Sequence, residues 1–221
     1  MVEITFNDVM NDADVKMLLD TADKNFAAIG YKEHGLRHAK LSSAIAGNVL
    51  SHLGYPKRDI ELAKIAAYIH DIGNAIERHR HALSGAILSK RILERLGMPY
   101  SEMITVMSAV GSHEEKDIIP NSQITAAVIL GDKTDVHFSR ARSQKCGNLD
   151  KYTRVNLACK SSFLRVQSDS KTISLELTID TTVVDIGEYF EIFLERTMLL
   201  KKAAKYFDCG FILYINGNKF L

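Results

Sequence analysis

Apolar positions recur at helical spacing through the first two-thirds of the chain and at strand spacing in parts of the last third. From about residue 12 to residue 29, Val15, Leu18, Leu19, Ala22 and Phe26 make one helical stripe, which Gly30 ends. From His38 onward Leu41, Ile45, Val49 and Leu53 recur at four-residue steps until Gly54-Tyr55-Pro56 stops the run. A third helix follows Pro56, with Leu62, Ile65, Ala66 and Ile69 on its buried face, His70 one position later and Gly73 closing it. The next segment, from His81 to Leu96, is apolar on more than one face through Leu83, Ala86, Ile87, Leu88, Ile92 and Leu93, which predicts a well-buried helix. Gly97-Met98-Pro99 separates it from a helix carrying Met103, Val106, Met107 and Val110. Pro120 precedes another, with Ile124, Ala127, Val128 and Gly131 on one side.

The period changes after about residue 139. Residues 139–150 are polar and contain glycine, as a loop between domains would be, and residues 150–160 have room for one short helix. SFLRVQ and TISLELTID then alternate apolar and polar across Ser168-Asp169-Ser170-Lys171, the pattern of a β-hairpin. Residues 184–207 form a long amphipathic helix through Ile186, Tyr189, Phe190, Phe193, Leu194 and Leu200, and CGFILYINGNKFL ends the chain as a strand with an Asn-Gly turn. The expected fold is mainly α: a helical bundle over 1–142, then a small α+β domain (β-hairpin, long helix, final strand) over 143–221.

Composition acts mainly by exclusion. An apolar fraction of 46% and a charged fraction of 25% are ordinary for a globular protein, so a full core can be built. The formal net charge is +1 and no block of five or six basic residues occurs, so a nucleic-acid polymer is not an expected partner. Cys146, Cys159 and Cys209 are widely spaced, odd in number and form no CxxC, which argues against a disulfide framework or zinc knuckle and fits a reducing compartment. The acidic N-terminal stretch lacks the features of a signal peptide and no run of 18 apolar residues exists, so a cytoplasmic protein without a membrane span is expected.

Several ionisable residues sit on the apolar stripes. His70 and Asp71, in AAYIHDIGN, offer one soft and one hard metal ligand from a single turn. A lone His-Asp pair says little, but His38 precedes Leu41 by three positions, His113 follows Val110 by three, and Asp132 follows Val128 by four. Each therefore shares the inward face of its helix. A carboxylate inside AAVILGD is costly unless it is paired or holds a cation. Helical bundles aim imidazoles and carboxylates at one internal point in this way. Mixed ligands of these two kinds suit manganese, iron, cobalt, nickel or zinc.

The order His38, His70-Asp71, Asp132 in helical context resembles the HD-domain superfamily of metal-dependent phosphohydrolases over roughly residues 30–140. His81, in HALSGA, and His113, in SHEE, look like the extra histidines of members that bind two metals; the alternative for His81 is an exposed first-turn residue, and His79, expected to be solvated, is its rival. HGLRHA and GDKTD resemble a subgroup with an appended C-terminal α+β domain. The resemblance implies that His38, His70, Asp71 and Asp132 hold a first divalent ion. Asp71 would bridge to a second, held by His81 and His113. His34 is a further candidate ligand, one helical turn before His38; two-metal relatives often carry glutamate there, and a surface histidine is the alternative.

Such a centre lowers the pKa of water and polarises a phosphorus atom. Arg37 and Lys133 neighbour the ligands and suit phosphate contacts, as do Arg140 and Arg142 unless these serve the surface or a domain interface. Glu114 or Glu115, beside His113, suits a general base or a partner for a ligand's second nitrogen. Asp135 lies on the face of Asp132, as a ligand's partner or a solvated carboxylate. The implied activity is hydrolysis of a small phosphate ester, a nucleotide or related metabolite. The alternatives are a non-catalytic nucleotide sensor and a di-iron oxygenase. Relatives that cleave cyclic dinucleotides carry a lysine after HD-x-G and a GYP downstream; here Asn74 stands at the lysine's place and the GYP lies upstream, which argues against that specialisation. The edge strand FILYI suits pairing between subunits, which favours a homodimer.

Overall fold

In a computed structural model that describes residues 3–114, 118–142 and 151–221, the chain begins with two capped helices. The Thr5 hydroxyl accepts from the Asp8 backbone N–H while the Asp8 carboxylate accepts from Thr5, a capping box that starts α1 (Phe6–Asn11). Asp12 caps α2 (Ala13–Ala28), which buries Val15, Leu19, Ala22 and Phe26. Five more helices follow: α3 (Leu36–His52), α4 (Lys57–Ile69), α5 (His81–Leu96), α6 (Tyr100–Ser112) and α7 (Gln123–Thr134). Pro56 and Pro99 immediately precede α4 and α6, and Gly97, at φ 90°, ends α5. Every residue of α7 from Ile124 to Thr134 is buried, and α3, α4, α6 and a later helix pack around it.

Two helices turn differently from the sequence expectation. The inward face of α3 carries His38, Ala39, Ser42, Ser43, Ala46, Gly47, Val49 and Leu50, while Leu41 is 37% exposed. The reason is the closeness of α3 to α7: a Cβ on Gly131 would sit 2.4 Å from the Ser42 carbonyl oxygen, so only small residues fit there. In α5, Leu83 and Ile87 are exposed and the buried face is His81, Gly85, Ser89, Ile92 and Leu93. That helix lies close to the segment after α4, because a Cβ on Gly73 would meet the His81 carbonyl oxygen at 2.0 Å. Its large apolar residues are excluded from that contact.

The last third comprises α8 (Lys151–Ala158), β1 (Cys159–Gln167), β2 (Thr172–Ile179), α9 (Ile186–Tyr206), β3 (Gly210–Ile215) and β4 (Asn218–Lys219). The sheet order is β1-β2-β3-β4; β1 and β2 form the expected hairpin, and β2 pairs with β3 in parallel, with α9 as the crossover. Asn216 and Gly217 both take positive φ in the tight turn to β4. Buried apolar residues form two clusters. One joins α1 to α7 (Val15, Leu50, Ile65, Val110 and Val128 among them). The other joins the sheet and α9 to Val49 of α3 and to Ala126, Ile129 and Leu130 of α7. Among the described residues no helix is long and apolar enough to cross a membrane. Cys159 and Cys209 are buried and free; Cys146 and most of the expected inter-domain loop lie outside the described residues.

Candidate metal centre

Five helix ends meet beside α7. His38 lies in the first turn of α3, His70 and Asp71 follow the end of α4, and His81 opens α5. His113 follows the end of α6, and Asp132 stands in the last turn of α7. All six are buried, the most exposed being Asp132 at 6%. The sequence placed His38, His113 and Asp132 on inward faces, and the structure brings these three together with His70, Asp71 and His81.

The histidines are aimed by acceptors that leave one tautomer available. His70 Nδ1 donates to the Ala67 carbonyl at 2.8 Å, His81 Nδ1 to Arg78 at 2.8 Å and His113 Nδ1 to Val110 at 2.7 Å. His38 Nδ1 lies 2.7 Å from the Asp135 carboxylate. A carbonyl or carboxylate only accepts, so Nδ1 carries the hydrogen and Nε2 presents its lone pair, the form a metal requires.

The four Nε2 atoms converge on the two carboxylates. Asp71 Oδ2 is 3.6 Å from His38 Nε2 and 3.3 Å from His70 Nε2, and Asp132 Oδ1 is 3.3 Å and 3.8 Å from the same two atoms. The other oxygen of Asp71, Oδ1, faces His81 Nε2 at 3.4 Å and His113 Nε2 at 4.0 Å, with those two nitrogens 3.3 Å apart. Ligands about 2.1 Å from an ion lie roughly 3 Å from one another, so these separations are close to those of a coordination shell.

Three of the converging atoms (His38 Nε2, His70 Nε2 and Asp71 Oδ2) are buried without any hydrogen-bond partner among the described residues. Orphaned buried polar atoms are costly, and a cation relieves this set at once. The charge balance points the same way. Burial opposes ionisation of Asp71 and Asp132, yet the His70 imidazole and the Lys133 ammonium respectively hold their carboxyls well below the usual range. Burial likewise opposes protonation of His70, but the Asp71 and Asp132 carboxylates lift its imidazole to about 9, so at neutral pH Nε2 carries a proton that a cation there would displace to use the lone pair. Burial holds His113 down at about 3, in the neutral form. The donor set therefore fits a metal ion.

The remaining expected residues divide. His34 precedes α3 and does not share its helical face, because Gly35 is the N-cap; its ring packs on Phe26 at 4.3 Å and its Nδ1 contacts the Lys32 carbonyl. It borders the centre, 5.6 Å from the His38 ring, without joining the converging atoms. Lys133 contacts Asp132 Oδ2 at 2.5 Å and Glu114 at 3.6 Å, and Glu114 also reaches His81 Nε2 at 3.6 Å. Both line the cleft that opens onto the centre, about 290 Å³ in volume, with the exposed His79 at its edge. Arg37 does not line that cleft: its guanidinium pairs with Glu33 and Asp135. Arg140 is fully buried, donating to the Glu33 and Asp135 carbonyls, and Arg142 ties Tyr31 and Asp23. These two hold the segment before α3 in place. Glu115 lies outside the described residues.

Three contributors had no signal in the sequence pattern. Asn74 donates to Asp71 Oδ1 at 2.9 Å and fixes that carboxylate. Arg196, from α9, donates to the Asp132 and Lys133 carbonyls at 2.6 and 2.8 Å, capping the end of α7. Lys32 is buried beside the same cleft, and burial together with Arg140 and Arg196 depresses its ammonium well below the usual value. No spacing rule links residues 32, 132 and 196, because they meet only through tertiary packing.

Comparison with known proteins matches residues 31–146 to the family described as HD domain. The uncharacterized protein MJ1020 of Methanocaldococcus jannaschii is 29% identical over 68% of this chain and 66% of its own length. Ribonuclease Y of Latilactobacillus sakei is 31% identical and ribonuclease Y of Treponema denticola 32% identical, each over 53% of this chain. The matched stretch is 21% of either ribonuclease, so the likeness is to one part of those enzymes.

Proposed function

The chain belongs to the HD-domain family, and on that premise we propose that it is a metal-dependent phosphohydrolase acting on a small phosphate ester, a nucleotide or related metabolite. The observation that carries this reading is the convergence of four imidazole Nε2 atoms and two carboxylates on one buried point below an open cleft. His38, His70, Asp71 and Asp132 would hold one ion. His81 and His113 with the second oxygen of Asp71 would hold another, because the two Asp71 oxygens face different histidine pairs. Manganese, iron, cobalt, nickel and zinc all suit such ligands. When bound, the metal supplies Lewis acidity toward a phosphoryl oxygen and lowers the pKa of water.

The chain's own residues do the rest. Lys133, 7% exposed, places a positive charge at the mouth of the centre, where negative charge accumulates on a phosphoryl group. Burial works against ionisation of Glu114, but Lys133 overrides it and keeps its carboxyl below the usual range, so it is an acceptor at neutral pH. Glu114 is half-exposed beside His81, a position from which it takes a proton from water at the cleft. Arg37 acts at one remove, by fixing the Asp135 carboxylate that orients His38. The ribonuclease Y likeness supports phosphate-ester chemistry. The formal charge of +1 and the small cleft favour a small ligand over RNA.

The test is ³¹P NMR of a pooled nucleotide and sugar-phosphate panel with manganese, comparing the native chain with Asp71→Ala. New phosphate signals from the native chain alone are expected, with metal content lost in the variant. Equal turnover by both, or by neither, would overturn the reading.

A further inference from the structure

A second cleft, about 580 Å³ in volume, continues from the centre along α9. The two clefts share Tyr31, Lys32, Glu114, Lys133 and Arg196, so these residues stand at the junction. Beyond them the α9 cleft changes character and presents Tyr152, Leu194 and Met198, each between 39% and 48% exposed. Three cations gather where it meets the metal centre, and farther out this aromatic and apolar surface is flanked by Glu195 and Lys202. The cleft's volume falls in the range of small-molecule sites.

Lys32 is the informative group at the junction. It is 8% exposed, yet no carboxylate among the described residues lies within ion-pair distance of its ammonium. Among the described residues its partner is the Phe193 ring of α9, 5.8 Å away. The other two cations there are occupied, Lys133 by Asp132 and Glu114 and Arg196 by the end of α7. A buried, unpaired ammonium is costly unless an anion arrives to pair with it. Tyr152 is the exposed aromatic surface on the outer side, 6.1 Å from Phe193 and 6.5 Å from Tyr31. A planar ring laid on it is sheltered by the two rings behind.

The geometry points to a substrate subsite in the α9 cleft: Lys32 binds the phosphate of a nucleotide beside the metal centre, and Tyr152 takes its base. The inference rests on the phosphohydrolase reading for what happens to that phosphate, and adds the residues that select the ester. Lys32 and Tyr152 come from outside the helices that hold the metal ligands, so specificity and metal retention are separable.

Calorimetric titration tests this on the full-length, manganese-loaded chain, with metal content and melting temperature checked for each variant. The probes are the 5′-mono- and triphosphates of the four common ribonucleosides, together with ribose 5-phosphate. At least one nucleotide is expected to bind the native chain tenfold or more tightly than ribose 5-phosphate. Lys32→Gln should weaken that nucleotide and ribose 5-phosphate alike, by tenfold or more. Tyr152→Ala should weaken only the nucleotide, bringing it toward ribose 5-phosphate. The subsite is overturned if no nucleotide outbinds ribose 5-phosphate, if Lys32→Gln binds within twofold of the native chain, or if Tyr152→Ala weakens both ligands equally. Phosphate release is measured separately. Nucleotide binding with the expected dependences but no hydrolysis would sink the phosphohydrolase reading and leave the subsite. Hydrolysis that is indifferent to both variants would do the reverse.

Discussion

At the scale of single residues the centre depends on atoms one bond removed from it. Asp135 is fully buried; Arg37 and Arg140 balance its charge, and it fixes the Nδ1 hydrogen of His38. Burial alone would raise its carboxyl, but Arg140, His38 and Arg37 hold it well below the usual range. A depressed native carboxyl gives stability that is present in full above the unfolded value of about 4 and is lost as pH falls from there through the lower native value. Asp135→Asn leaves the buried Arg140 guanidinium without its carboxylate and should lower unfolding free energy at pH 7 by about 3 kcal/mol. Its further loss between about pH 5 and pH 2 should be shallower than the native chain's. Urea melts across that range check both, and parallel curves would remove Asp135 from the acid-sensitive set. Asp71 and Asp132 act in the same direction, so the slope is reduced rather than abolished. The sequence marked Asp135 as lying on the face of Asp132 but left its role open, because its partners His38 and Arg37 are nearly 100 positions away.

At the scale of elements, what the sequence displayed was helical period and punctuation. Apart from α1, which the pattern did not mark, and α8, for which it left only room, helix existence followed from apolar spacing, and most helix ends followed from Gly and Pro. Helix faces were harder, because the closest contacts use small and polar residues that a hydrophobic stripe does not count. Leu41 looked like the inward face of α3, but small residues occupy it: Ser42 where α7 approaches too near for leucine, and Gly47 where the Lys64 side chain of α4 lies against the backbone. The same closeness sets His38 against Asp132, with 3.3 Å between Nε2 and Oδ1. Gly131→Ala would drive a Cβ to 2.4 Å from the Ser42 carbonyl oxygen, and that atom is backbone, which cannot swing aside as a flexible side chain would. An overpacking cost of about 1–3 kcal/mol is expected, together with weaker metal binding as α3 moves off α7. Thermal melts and manganese titration measure the two effects. A variant with native stability and native affinity would show that this contact does not set the spacing of the site. His34 illustrates the opposite error. Helical period carried one turn too far included it with His38, whereas Gly35 starts the helix only after it.

At the scale of the whole molecule, the change of period near residue 140 marks a change of secondary structure but not the border between the two apolar clusters. Val49 of α3, Ile129 and Leu130 of α7, and Val136 after it are each at most 1% exposed, and they pack with the sheet and α9 in the second apolar cluster. Arg196 adds a polar tie by capping α7 from α9, at the carbonyls of the candidate ligand Asp132 and of Lys133. Periodicity could not show this sharing, because α7 is apolar on every side and gives no sign of which neighbour covers which face. Removing residues 143–221 would uncover those four side chains, at roughly 1.5–3 kcal/mol each. That is roughly 6–12 kcal/mol, against the 5–15 kcal/mol or so by which a whole domain is usually stable. A fragment of residues 1–142 is therefore expected to be insoluble, or to keep helical dichroism while losing a cooperative melt and binding an apolar dye. A soluble fragment that melts cooperatively within a few degrees of the full chain would show that the first cluster suffices alone. The last third would then serve the α9 cleft and not the stability of the metal centre.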